Sequence, residues 1–246
     1  HRRLYGGWNS DVCDCERVMN LDAAMAMEAQ YRTLSGEQKR DFGYHTKLRD
    51  FGFESTVDYE RAKDIRHIGE INWLEIGASQ FIPSLREHIE SDKEGIWIVN
   101  PEQLLVWSGT APLNTDYCAE NGIPVYEVKY SGGTIVTGVE DVAIGVLVHN
   151  ERIRYTFSTM LYEVVAGHCH AEQDGNDIIV AGKKVSGVGS ARFGNLYLGT
   201  YQMTFVHHAS EIAAICGQSH KDVGGLFELC CMEKGDLVEV VKSWLK

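Results

Sequence analysis

The chain is poor in proline, with four among 246 residues. It has no unbroken apolar run near the roughly eighteen residues of a membrane-spanning helix, so no membrane anchor is expected. Its opening residues, His1-Arg2-Arg3-Leu4, lack the apolar stretch of a secretory leader. The missing initiator Met points to processing or a trimmed end. Basic residues are in short supply: 23 Lys and Arg face 35 Asp and Glu, for a net charge of −12. A protein that grips a phosphate backbone presents a basic face, so nucleic acid is not expected as the main partner. Cysteine shows no pairing pattern. Cys13, Cys15, Cys118, Cys169, Cys216, Cys230 and Cys231 are odd in number and scattered. In a chain too long to need staples, that reads as a reducing, cytoplasmic compartment. None of them forms the Cys-x2-Cys pair usual in structural zinc sites.

What is present is a globular composition, with 44% hydrophobic residues, enough to bury a full core in one or two domains. Residues 1–70 mix charges with aromatics. Asn20 is placed to cap a helix over residues 21–32, a second short helix follows Ser35, Gly43 and Gly52 mark loops, and residues 58–68 form a charged helix. This region is expected as a helical extension of unassigned role, ahead of a second domain over residues 71–246. There, a helix with Pro83 in its first turn ends before Gly95. Residues 95–99 and 103–107, separated by Asn100-Pro101, predict a hairpin at the centre of a sheet. A short helix near 116–120 leads to a strand over 124–130. Residues 142–148 read as a buried strand and 154–165 as an amphipathic helix. A strand over 195–206 and helices over 211–216, 223–230 and 236–245 complete an α/β pattern, a mixed sheet flanked by helices.

The richest stretch chemically is Asp174-Gly-Asn-Asp-Ile-Ile-Val-Ala-Gly-Lys-Lys-Val-Ser-Gly187. Asn176 and Asp177 precede a short apolar run, and a turn at Ala181-Gly182 brings Lys183 and Lys184 back alongside it, the pattern of a hairpin. Carboxylate and ammonium then lie near each other at a strand end. An Asp can hold magnesium or a nucleotide's polar groups, and a Lys is a compact charge for phosphate. Such a pair suits chemistry on an acyl phosphate. Upstream, Ser131-Gly132-Gly133 predicts a tight turn whose backbone amides can approach a ligand closely.

These two stretches resemble the paired motifs of the lipoate-protein ligases, relatives of the biotin ligases and octanoyltransferases. In that family Arg-Asn-Asp, a strand and Gly-Lys-Lys-x-Ser-Gly form one motif, matched here from Asn176 to Gly187. Asn-Gly-Ile-Pro-Val leading to Arg-Arg-x-Ser-Gly-Gly-Gly forms the other, matched from Asn121-Gly122-Ile123-Pro124-Val125 to Lys129-Tyr130-Ser131-Gly132-Gly133. The order and separation agree too, and the resemblance runs from about residue 70 to the end. It implies a biotin/lipoate ligase-like catalytic domain that activates a lipoic or fatty acid with ATP and magnesium. The acyl-adenylate would then pass its acyl group to a lysine of a lipoyl-type carrier protein, or to another amine. Lys184 would hold the carbonyl and phosphate oxygens. Lys129, Ser131, Gly132, Gly133, Thr134, Asn176, Asp177, Ser186 and Gly187 would bind acyl chain and nucleotide, with Asp177 as a magnesium contact. The chain ends soon after the core, so the small accessory domain common in the family would come from a separate subunit or be dispensed with.

The sequence also departs from the family. Lys129 stands where Arg is usual, Thr134 replaces the third Gly, and Gly138-Val139 takes the place of the usual His-Asp. Cys169 lies seven residues before Asn176, the offset of the nucleophile in cysteine-dependent octanoyltransferases. Its neighbours His168 and His170 could lower its pKa if either pointed at the thiol. A thioester-using transferase and a non-catalytic binding member of the family therefore stand beside the ligase reading. His207-His208, at a strand end, reads as structural.

Overall fold

The computed structural model describes residues 19–109, 112–128, 134–216 and 222–246. The chain divides into two compact units, one ending at Gly69 and the other running from Glu70 to Lys246.

The first unit carries four helices among its described residues: α1 (Leu21–Thr33), α2 (Gly36–Asp41), α3 (Tyr44–Asp50) and α4 (Thr56–Glu70). Asn20 caps α1 by accepting from the Ala23 amide at 3.0 Å. Ser35 and Gln38 form a reciprocal capping box on α2. Ala24, Met27, Leu48, Phe53 and Tyr59 make a small core. Beside it, Glu28 accepts hydrogen bonds from Arg32 at 2.6 Å, Tyr59 at 2.7 Å and Lys63 at 2.8 Å.

The second unit follows as β1 (Trp73–Gly77), α5 (Ala78–Glu90), β2 (Gly95–Asn100), β3 (Leu105–Ser108), α6 (Thr115–Glu120), β4 (Val125–Glu127), β5 (Ile135–Thr137) and β6 (Val142–Val148). Then come α7 (Glu151–His168), β7 (Ala171–Asp174), β8 (Asp177–Val180), β9 (Lys183–Lys184), β10 (Ser186–Phe193), β11 (Leu196–Met203), α8 (Ala209–Cys216), α9 (Leu226–Cys230) and α10 (Lys234–Trp244). The main sheet has the order β1-β2-β6-β11-β10, with β1 and β2 parallel and the remaining pairs antiparallel. A second sheet runs β4-β3-β5 and a third β7-β8-β9. The mixed α/β class expected from the sequence is observed.

Three expectations about elements are corrected. β2 and β3 do not form a hairpin: β2 pairs with β1 and β6, while β3 pairs with β4 and β5 in another sheet. The Asn100-Pro101 break marks a change of sheet. Pro83 lies inside α5, at its sixth residue, because the helix starts at Ala78. Val223 is not helical; it bridges to Lys184, and α9 begins at Leu226.

One face of the main sheet sets up the site. Register places Val99, Ala143, Gln202 and Gly187 in one row across four strands, and Trp97, Gly145, Thr200 and Gly189 in the next. The small members leave that face concave. A Cβ at Gly145 would lie 2.7 Å from the Phe81 ring, so only glycine lets α5 close this tightly over the sheet.

Candidate active site

The Asp174–Gly187 stretch folds as the β7-β8-β9 meander. Ala181 and Gly182 adopt φ of 49° and 71°, the left-handed pair that a two-residue hairpin turn needs. The return strand sets Lys184 opposite Ile179 and brings its Nζ to 2.7 Å from Asp177 Oδ2. The two side chains are 41% and 32% exposed, and a pair so open to water adds only about 0–1 kcal/mol to stability. Its ammonium is therefore cheaply released to another anion. The Lys184 backbone is held against residues 222–224: its amide donates to Asp222 O at 2.7 Å, and its carbonyl accepts from Gly224 N at 3.0 Å. Asn176 is exposed at the hairpin tip. Ser186, 4% exposed, has its hydroxyl occupied by the Ile178 amide at 2.7 Å, which makes it a splint between β8 and β10.

This face floors an apolar slot walled by Phe81, Leu85, Trp107 and Ile135 and floored by Ala143 and Leu198. Beside it lies a more polar cleft that Thr134, Lys184, Ser186 and His208 line. Ile135, Gly187 and Gln202 border both, so slot and cleft adjoin at a neck. A Cβ at Gly187 would meet only Ile135 Cδ1 at 3.4 Å and Gln202 Cβ at 3.8 Å. Several buried polar atoms here find no hydrogen-bond partner among the described residues: Thr134 Oγ1, Trp107 Nε1 and both amide atoms of Gln202.

His208 and Asp141 were not singled out by the sequence as site residues. Asp141 is fully buried, and its carboxylate accepts from the amides of Gly138 at 2.8 Å and Phe205 at 2.7 Å. Burial pushes its pKa up against those hydrogen bonds and the nearby His208. The His208 ring lies 3.9 Å from both Glu140 and Asp141, at the wall of the cleft. A Cβ at Gly138 would sit 2.1 Å from His208 Nε2. An imidazole from beyond β11 thus fills the space beside Gly138. This meeting of residues some seventy positions apart has no local sequence signal.

Cys169 lies at the C-cap of α7, the negative end of the helix dipole, which opposes a thiolate. Burial and the Cys230 thiol push its pKa up to about 12. The flanking imidazoles do not counter this. His168 Nε2 contacts the Cys230 carbonyl at 3.2 Å, and His170 is 91% exposed beside Glu172. All five cysteines among the described residues are free.

Lys129, Ser131, Gly132 and Gly133 lie outside the described residues, as do Cys13 and Cys15. Among the described residues no cluster of three or more His, Cys, Asp or Glu is set to hold a metal ion, and no helix is long and apolar enough to cross a membrane. Magnesium, which commonly rests on one or two carboxylates plus substrate phosphates, does not need such a cluster. The part-exposed Asp177 carboxylate beside the cleft fits that mode.

No protein-family model matches the chain, and no curated protein matches its sequence. Solved structures do. LipL1 of P. falciparum in complex with lipoate superposes at a TM-score of 0.56 and 13% identity, over 70% of this chain and 59% of that one. The bipartite lipoate protein ligase of Thermoplasma acidophilum, studied with its E2 lipoyl domain, gives 0.56 and 14%, covering 71% and 82%. Lipoate-protein ligase A bound with ATP gives 0.56 and 15%, covering 71% and 82%. Over about 70% of its length the chain has the fold of these ligases, and it spans 59% of the length of LipL1.

Proposed function

We propose that the chain is a lipoate ligase-like enzyme, which activates a lipoic or fatty acid with ATP and transfers the acyl group to an amine, a carrier-domain lysine. One observation carries this reading: an apolar slot adjoins, at Gly187, a polar cleft that Lys184 lines. An acid seated with its chain in the slot presents its carboxyl group at the neck, where a nucleotide in the cleft can meet it. The neighbours support the ligand classes, since solved proteins of this fold are described with lipoate and with ATP.

In the first step a carboxylate oxygen attacks the α-phosphorus of ATP. The P–O bond to pyrophosphate breaks, and pyrophosphate leaves with the electron pair. The Lys184 ammonium, leaving Asp177, would sit on the charge that builds up on the phosphate and then on the carbonyl oxygen; interactions made there rather than in the ground state raise the rate. In the second step the amine nitrogen attacks the carbonyl carbon, AMP leaves with the C–O electron pair, and the amine's proton passes to solvent. Asp177, freed from Lys184, would hold magnesium, which supplies charge neutralisation on the phosphates. The slot excludes water from the acyl chain, and holding acid and nucleotide end to end lowers the entropic barrier.

The bipartite archaeal ligase with its E2 lipoyl domain supports a lipoyl-type carrier and a separate accessory subunit as partners. The net charge of −12 asks for a carrier docking site that is locally basic. The decisive test is intact-mass analysis after incubation with ATP, magnesium and a panel of lipoic and fatty acids. A retained acyl-adenylate with matching pyrophosphate release is expected. Pyrophosphate release that ignores the acid would overturn the reading.

A further inference from the structure

Gln202 stands out on the slot floor. It is 3% exposed, and neither atom of its carboxamide finds a hydrogen-bond partner among the described residues. The register explains why. Its neighbours in the row across the sheet are Ala143 on β6 and Gly187 on β10, a methyl group and a hydrogen atom. Neither can hydrogen-bond a side chain, and their small size leaves space above the amide. A buried amide left unpaired is costly, and in native proteins such groups are few and have a reason. The position supplies one. Trp107 Nε1 is also unpartnered but borders only the slot, whereas Gln202 borders slot and cleft together at the neck.

We propose that Gln202 is a binding residue for the head group of the acid, its amide N–H donating to the carboxyl oxygen, later the acyl carbonyl oxygen, as that group emerges from the slot. The proposal rests on the acyl-activating reading above. It adds a second, neutral donor at the carbonyl, so that Lys184 serves the phosphate and shares the carbonyl. A neutral donor suits this place. A cation between apolar walls would be heavily desolvated in the empty slot, while an amide carries a smaller burden. The residue would select for a carboxyl head group over a head group that accepts less well.

The test combines acid binding, stability and turnover on the full chain. Octanoate and lipoate binding is measured by calorimetry for wild type, Gln202→Leu and Gln202→Met, with 1-octanol as a ligand of equal chain length lacking the carbonyl. Wild type is expected to favour octanoate over octanol by at least about tenfold. Both apolar variants are expected to lose at least about tenfold in octanoate affinity, narrow that gap and keep or raise Tm, since each removes a buried unpaired amide. A structural role for Gln202 would lower Tm and affinity together, and that result overturns the proposal. So does octanoate binding by either folded variant within about threefold of wild type while wild type still forms acyl-adenylate, in which case the acyl-activating reading survives. If wild type neither binds the acids nor releases acid-dependent pyrophosphate, both readings fall.

Discussion

Lys184 Nζ lies 2.7 Å from Asp177 Oδ2 across the hairpin, an ion pair at the edge of the cleft that a phosphate would have to take apart in the reaction proposed above. The pair neutralises the lysine in the absence of ligand, yet its exposure means that water already does much of that work.

Removing the lysine should therefore separate function from stability. Lys184→Ala is expected to lower ATP-dependent acyl transfer by about a hundredfold or more, the scale seen on removing one transition-state donor. Tm should move by only a few degrees, as expected for loss of about 0–1 kcal/mol. Lys183→Ala should keep transfer within about tenfold. Single-turnover transfer and a thermal melt on the same preparations check this. Activity of Lys184→Ala within about ten times that of wild type would remove the lysine from its assigned role.

Filling the neck should block the acid without disturbing the nucleotide end. Gly187→Ala leaves contacts near 3.4 Å to Ile135 Cδ1 and is expected to be tolerated. Gly187→Leu would project into the junction of slot and cleft. Acid affinity is expected to fall by at least about tenfold, with ATP binding within about threefold of wild type. Calorimetry with each ligand alone separates the two.

The thiol at the end of α7 offers a test between catalytic classes. Held protonated, with a pKa of about 12 set by burial and Cys230, Cys169 is a poor nucleophile at neutral pH. Cys169→Ser is expected to retain most ATP-dependent transfer. Wild type given an acyl-carrier thioester without ATP should show no hydroxylamine-sensitive mass increase; an adduct that disappears in Cys169→Ser would install the thioester mechanism instead.

In the N-terminal unit, Glu28 governs an acid response. Burial raises its pKa, but hydrogen bonds from Lys63, Tyr59 and Arg32 outweigh that and hold the carboxyl at about 2. The unfolded value is about 4.3. Since the folded value is the lower, the stabilisation is present in full above the unfolded pKa and is lost as pH falls through about 2. Glu28→Gln should increase hydrogen exchange in α1 and α4 of the full chain at pH 7, by about 1–3 kcal/mol of lost protection. The difference from wild type should shrink as pH falls from about 4 toward 2. A difference that stays constant across that window would show that the carboxylate charge is irrelevant there.

Local patterns revealed much of this fold. The Ala181-Gly182 turn, the apolar run of β8 and the capped start of α1 are all written in adjacent residues, and all form where those residues imply. What adjacency could not show were relations between distant segments. β2 and β3 look like a hairpin because only pairing partners elsewhere, β6 for one and β5 for the other, separate them. β1 escaped notice because an edge strand with Glu75 at its centre and Leu74 45% exposed lacks a buried strand's pattern. The helix expected over 223–230 took in Gly224 and Gly225, whose missing side chains serve contact: a Cβ at Gly225 would lie 2.3 Å from the Phe205 carbonyl. The motif lysine was legible, and so was Asp177. Their nearness across the local hairpin was expected too, whereas the His208 imidazole beside Gly138 and the unpartnered Gln202 amide depend on register and topology.

The clamp on the Lys184 main chain bears on speed. Its amide and carbonyl are bonded to Asp222 and Gly224, so the ammonium can pass from Asp177 to a ligand only by rotation about its own side-chain bonds. For a side chain 41% exposed, such rotations take picoseconds to nanoseconds, whereas loop and lid movements run to microseconds and longer. In the proposed reaction the handover of charge at this site would therefore be far too fast to limit turnover, and a slow step would belong to the chemistry or to the arrival and departure of ligands.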